Sequence, residues 1–191
     1  MELSQMEQKL QGMLSEKRYR HSLGVMETAV KMAQIFGVSP KQAQLAGLLH
    51  DCAKDIDKSI MPKMCEKLGV HLDPVKLEQR SLIHADLGAK IAEYAFGIED
   101  TEILDAIRYH TLGRPNMTVL EKILYIADFT EPNRKSFPGL DELRKLSEED
   151  LDLAMLRAVE SSINYVKSQG NLLHEQSVKT QKFYNELINN R

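Results

Sequence analysis

Cysteine is scarce: of 191 residues only Cys52 and Cys65 carry a thiol, too few for a disulfide framework, and the natural reading is a reducing cytosol. No run of about eighteen apolar residues occurs, which excludes a membrane-spanning helix. The opening stretch MELSQMEQKLQGML mixes charged and apolar residues at helical spacing, so it reads as neither a signal peptide nor an anchor. An excess of positive charge is also missing. With 25 Lys and Arg against 28 Asp and Glu the net charge is −3, so the chain lacks the basic field of a general nucleic-acid binder. A small anionic ligand stays open, because a local cation overrides a weakly negative surface. Alternating strand patterns are nearly absent, and there is no internal repeat, low-complexity tract or linker-like segment. The expectation is a soluble cytoplasmic protein with neither nucleic-acid nor membrane partners.

What is present is helical periodicity. Hydrophobic residues make up 42% and charged residues 28%, an ordinary globular balance, and the length suits one good core. Helices are expected over 4–15, 17–36, 39–51, 59–68, 81–95, 100–111, 117–130, 140–146, 149–168 and 175–189, with breaks at 69–74, 97–100, 113–116 and 131–139. Gly37 ends the second helix, and Ser39-Pro40 supplies an N-cap followed by proline at the first helical position. The predicted fold is an all-α bundle in a single domain spanning 1–191. Its core covers about 17–131, with a C-terminal helical elaboration over about 140–191.

The informative residues are polar ones placed where apolar stripes should continue. Ala43, Ala46 and Gly47 lead to His50 and Asp51; Leu87, Gly88, Ile91 and Ala95 extend back to His84. Ile103, Ala106 and Ile107 lead to His110, Leu120 and Leu124 lead to Asp128, and His21 lies one turn before Val25. Residues three or four apart share a helix face, so four histidines and two aspartates from five helices point inward. One such histidine alone is more often a hydrogen-bonded core residue. Asp128 alone reads equally as a helix-end carboxylate, and a His-Asp pair is common by chance. As an ordered set they meet the ligand preferences of zinc, manganese or iron, because buried charge is costly unless paired or metal-bound.

That set, in the segments RYRHSLGV, AGLLHDCAK and YIADFTEP, resembles the H…HD…D pattern of the HD-domain superfamily of metal-dependent phosphohydrolases. The strings LLHDCAKDI, IHADLGA, AIRYHTLGR and LEKILYIADFTEPNRKSFPGLDELR resemble, within it, the YqeK family of symmetrical dinucleoside tetraphosphatases. The resemblance implies hydrolysis of diadenosine tetraphosphate to two ADP, with one or two divalent ions, iron first and manganese or another transition metal as the alternative. The expected mechanism is in-line attack by a metal-bound hydroxide, with His21, His50, Asp51 and Asp128 as ligands of the first ion. Asp51 would bridge to a second ion completed by His84 and His110, at the roughly 3.5–4 Å typical of paired sites. With one ion only, His84 and His110 become phosphate-binding or proton-donating groups.

Lys54 shares a face with Asp51 and is assigned to a phosphate oxygen or the leaving group, against the plainer reading of a solvated lysine. Arg134 suits bidentate phosphate capture, against that of a loop charge. The tail NLLHEQSVKTQKFYNEL resembles the family's tail, with Glu175 where proline is usual and the arginine lost, and makes His174 a candidate base contact. His71 reads as surface, Arg108 as structural, Arg114 as either, and Cys52 gives no case for thiolate ligation. The competing functions are an HD-type nucleotide phosphohydrolase acting on a nucleoside monophosphate or alarmone, a non-catalytic sensing module, and a helical interaction protein. Oligomeric state stays open, with a homodimer as the candidate.

Overall fold

The computed structural model describes all 191 residues and contains eleven α-helices, one 3-10 turn and no strand. In order these are α1 (Leu3–Gln11), α2 (Glu16–Phe36), α3 (Pro40–Leu49), α4 (Met61–Lys67), α5 (Pro74–Glu78), α6 (Ile83–Phe96), α7 (Thr101–Tyr109), α8 (Val119–Thr130), α9 (Leu140–Glu149), α10 (Leu151–Ser168) and α11 (Glu175–Asn189); the 3-10 turn, Arg80–Leu82, precedes α6.

Local chemistry sets these boundaries. Ser15 accepts from the Arg18 amide and starts α2, and Gly37, in the left-handed region at φ 70°, ends it. Ser39 caps α3 ahead of Pro40. Thr118 and Glu121 form a capping box that begins α8 later than periodicity alone implies. The expected helix over 39–51 stops at Leu49, leaving His50 as its C-cap and Asp51 in the following turn. Residues 74–80 hold a helix and the start of a 3-10 turn that the apolar pattern does not mark. α5 buries no residue, so it has no stripe to read, but Asp73 caps it and Pro74 fits its first position.

α2 lies against α3 and α8, α7 against α6, α3 and α8, and α10 against α8, α9 and α11. One continuous apolar cluster runs from Met6 and Leu10 of α1, through Val25, Ala29 and Met32 of α2 and Leu120 to Ala127 of α8, to Met155 of α10 and Tyr184 of α11. The Tyr184 hydroxyl accepts from the Met117 amide at 3.3 Å, tying α11 to the loop before α8. Thus α10 and α11 share the core with the preceding helices. The inner ends of α2, α3, α6, α7 and α8 meet around one buried polar cluster.

Candidate metal centre

His50 and His110 are the C-caps of α3 and α7, where helix carbonyls lack intrahelical partners. Each imidazole turns back on its own helix: His50 Nδ1 donates to the Gly47 carbonyl at 2.8 Å and His110 Nδ1 to that of Ile107 at 2.7 Å. His84, in the first turn of α6, donates from Nδ1 to the Ser81 carbonyl at 2.5 Å. His21 of α2 places Nδ1 3.1 Å from Glu131 Oε1. A carbonyl only accepts, so at three of these rings the proton sits on Nδ1 and the Nε2 lone pair faces inward. This is the orientation that outer hydrogen bonds impose on metal-ligating histidines.

The six residues converge. Asp51 separates two groups of nitrogens with its two oxygens. Oδ2 is 3.4 Å from His50 Nε2 and 3.8 Å from His21 Nε2, whereas Oδ1 is 3.3 Å from His84 Nε2 and 3.6 Å from His110 Nε2. Asp128 Oδ1 completes the first group, 3.0 Å from His21 Nε2 and 4.0 Å from His50 Nε2. His84 and His110 bring their Nε2 atoms within 3.2 Å of each other. Opposed lone pairs repel unless a proton or cation lies between them. His21 Nε2, His50 Nε2 and Asp51 Oδ1 are buried with no hydrogen-bond partner, a costly state for polar atoms that ligation would relieve. Ligand atoms of His21, His50 and Asp51, of His50, His110 and Asp128, and of Asp51, His84 and His110 each lie within 4.8 Å of one another. The donor set, neutral imidazoles with carboxylates, fits a divalent transition metal.

Electrostatics follow the same division. Burial opposes ionisation of Asp51, but His50 and Lys54 beside it hold its carboxyl well below the usual carboxylate range. Asp128 is likewise held low: burial is outweighed by the His21 imidazole 3.0 Å away and by His50 and Arg134. Burial lowers the affinity of His21 for a proton, yet its contacts with Asp128, Glu131 and Asp51 raise its pKa overall. Burial, then the Lys54 cation, push His84 down to about 4.

A pH dependence of the metal-stripped protein follows. Between pH 4 and 6.5 the unfolded chain protonates His84 while the folded chain does not, so stability rises with pH across that window. The contribution is complete above 6.5 and is lost on acidification towards about 4. Its size is about 3 kcal/mol at most. His21 has the opposite sign, but its contribution is fully present below 6.5 and does not vary in this window. Thermal melts of chelator-treated protein should therefore show a falling midpoint from pH 6.5 to 4.5, and His84→Gln should flatten the curve. A wild-type midpoint constant over that range would refute the assignment.

Three neighbours escaped the sequence reading. Arg18 donates to Asp51 Oδ2 at 2.7 Å; it lies three residues before His21, a spacing that could have placed it on the same face. Glu131, buried, holds His21 from a position beyond the end of α8. Thr111 puts its hydroxyl 3.2 and 3.1 Å from the Nε2 atoms of His84 and His110. Lys54 Nζ sits 3.0 Å from His84 Nε2 and 3.8 Å from Asp51 Oδ1, and Arg134 Nη1 3.5 Å from Asp128 Oδ1. The structure does not bring His174 to this cluster. Its ring caps α11 and its Nε2 meets Asp73 Oδ2 at 2.9 Å. His71 is exposed, Arg108 pairs with Asp105, and Arg114 forms a bidentate pair with buried Glu121. Cys52 is buried, and burial together with the Asp51 charge pushes its thiol pKa far up, so it is no thiolate.

A cavity of about 900 Å³ opens beside the cluster, reached past Lys54, His110, Thr111, Asp128 and Arg134.

Comparison with known proteins places this architecture. The HD domain family matches residues 18–133. The chain is 45% identical over 155 residues to the symmetrical bis(5'-nucleosyl)-tetraphosphatase of Bacillus subtilis, covering 80% of this chain and 81% of that one. It is 39% identical over 176 residues to the enzyme of the same name from Halalkalibacterium halodurans, covering 92% and 91%. The crystal structure of an HD superfamily hydrolase of Clostridium acetobutylicum, described as involved in NAD metabolism, superimposes with a TM-score of 0.94 at 40% identity, covering 97% of this chain and 98% of that one. On sequence and structure together, this chain belongs to the HD-domain family, in its group of symmetrical bis(5'-nucleosyl)-tetraphosphatases.

Proposed function

We propose that this protein hydrolyses diadenosine tetraphosphate to two ADP, using a divalent metal held by His21, His50, Asp51 and Asp128, with Asp51, His84 and His110 holding a second. The observation that carries the reading is the Asp51 carboxylate, one oxygen turned to each pair of inward-facing Nε2 atoms. The names of the B. subtilis and H. halodurans relatives supply the substrate. A divalent cation in such a donor set lowers the pKa of water to about 7 and polarises a phosphoryl oxygen. Iron is the proposed metal and manganese the alternative.

The chain's own residues supply the rest. Symmetrical cleavage adds water to one central phosphorus and breaks its bond to the bridging oxygen, which leaves with the second ADP. Lys54, a third exposed and close to His84 and Asp51, meets the charge that develops on the leaving phosphate. Arg134 offers a planar fork to non-bridging oxygens at the mouth of the site. Thr111 donates its hydroxyl to the same region. Lys54→Ala should lower kcat by roughly 10²-fold while metal content is kept, because this cation acts on charge that appears in the transition state. An unchanged kcat, measured at saturating substrate, would remove Lys54 from the chemistry.

No helix is long and apolar enough to cross a membrane, and both cysteines are free, which supports placement in the cytoplasm. The deciding assay follows products by chromatography and metal by mass spectrometry on one sample. Two ADP per substrate with bound metal supports the reading. Bound metal with no cleavage, alongside turnover of a nucleoside monophosphate or alarmone, would move the substrate. No metal after anaerobic iron or manganese reconstitution would remove the catalytic reading altogether.

A further inference from the structure

The cavity beside the metal ligands is larger than the phosphate chemistry needs, and its far wall has no role in that chemistry. Its volume of about 900 Å³ lies near the top of the roughly 300–1,000 Å³ range of small-molecule sites. We propose that this wall seats one nucleoside of the substrate, with Phe137 stacking on the base and Asn164 of α10 reading its polar edge. The assignment rests on the hydrolase reading above and adds where the nucleoside goes.

A graded series of chemistry leads outward from the metal ligands. Arg134 Nη1 is 3.5 Å from Asp128, and its guanidinium lies 5.5 Å from the centroid of the Phe129 ring. Phe129 in turn meets Phe137 edge-on, with centroids 6.3 Å apart. Cations suited to phosphates therefore stand next to the metal ligands, and aromatic surface suited to a base stands behind them. Phosphate gains nothing from Phe137, whereas every base has a face to stack. Phe137 is only partly buried and lines the cavity, so part of its ring remains available.

The opposite wall comes from α10. Arg157, Ser161, Asn164 and Ser168 recur at four- and three-residue steps, so they share one helix face, and that face lines the cavity. Arg157 is engaged with Glu160 at 3.0 Å and reaches Glu142 of α9 at 4.0 Å. Ser168 donates to the carbonyl of Tyr165 at 2.8 Å. Asn164 is exposed at the cavity and carries a donor and an acceptor side by side, the pair that matches the N6 and N7 edge of adenine. On the sequence this stripe looks like an ordinary solvated helix face, because nothing in α10 itself shows that a loop stands opposite it.

The test uses the full-length, metal-loaded protein and two variants, Asn164→Ala and Phe137→Leu. The first removes an exposed amide; the second keeps apolar packing on Phe129 but loses the aromatic face. Thermal midpoints establish that both fold. KM for diadenosine tetraphosphate should rise roughly 10-fold in each, with kcat changed by no more than about twofold. ADP affinity by calorimetry should fall by the same factor, while inhibition by inorganic tetraphosphate, which has no base, stays at the wild-type value. Phe137→Tyr should restore ADP affinity. Unchanged ADP affinity in both variants, or equal loss for ADP and tetraphosphate, would overturn the proposal. Should the wild type leave diadenosine tetraphosphate intact, the hydrolase reading fails, and the ratio of ADP to tetraphosphate affinity still decides the nucleoside seat.

Discussion

Asp51→Asn should remove hydrolysis by roughly 10³-fold or more and strip the protein of its metal, the largest functional loss expected for any single change. The substitution preserves volume, so packing is not the cause. It removes the one group whose two oxygens face both halves of the cluster, 3.4 Å from His50 on one side and 3.3 Å from His84 on the other. An amide replaces one carboxylate oxygen with an NH2 group, which would donate to an Nε2 lone pair and so take that lone pair from the metal. The lost charge also leaves Arg18 and Lys54 without their carboxylate. Breaking a fully buried ion pair costs about 3–5 kcal/mol, but both cations are about a third exposed and can turn to water, so the folding penalty should be well below that range. Metal analysis and turnover should therefore collapse together while the thermal midpoint of metal-free protein moves little. A variant that keeps both metal and activity would show that Asp51 is not a metal ligand.

How far the sequence anticipates this cluster depends on what each residue needs from its surroundings. His50, His84, His110 and Asp128 are legible because each prolongs an apolar stripe, where a polar group is costly unless it is paired. Periodicity places His50 and Asp51 at the end of a helix, whereas the helix ends at Leu49 and His50 caps it. His50 keeps helical dihedrals at φ −54° and ψ −37°, so the face carries through to it, and its Nδ1 bond to the Gly47 carbonyl leaves Nε2 facing the interior. Arg18, Glu131 and Thr111 carry no comparable signal. Arg18 reads as one more charge in the run EKRYR, and Glu131 lies outside any helix. Their roles arise only when α2, α7 and α8 are brought together. The cleft wall on α10 is hidden for the same reason. Residues 74–80 give no signal because a helix that buries nothing leaves no hydrophobic period.

The close approach of α2 and α3 carries the second large expectation, on stability. Gly47 faces α2, and a Cβ there would lie 2.6 Å from the Cα and 2.9 Å from the amide nitrogen of Met26. Both are backbone atoms, so no side chain can turn aside and the two helices must separate. Gly47→Ala gains about 1 kcal/mol of helix propensity, but overpacking against backbone costs about 3 kcal/mol, leaving a net loss of about 2 kcal/mol. For a chain of this size that lowers the thermal midpoint by roughly 4–8 °C. Separation also moves His21, which α2 carries, away from His50, whose orientation depends on the Gly47 carbonyl itself, so metal affinity should fall with stability. Gly88 of α6 provides the contrast within the same core. A Cβ there meets the His50 carbonyl at 3.5 Å and Cys52 Sγ at 3.7 Å, ordinary contact distances, so Gly88→Ala should be neutral or slightly stabilising. If both variants melt with the wild type, the α2–α3 contact is looser than described, and with it the spacing that sets His21 opposite His50.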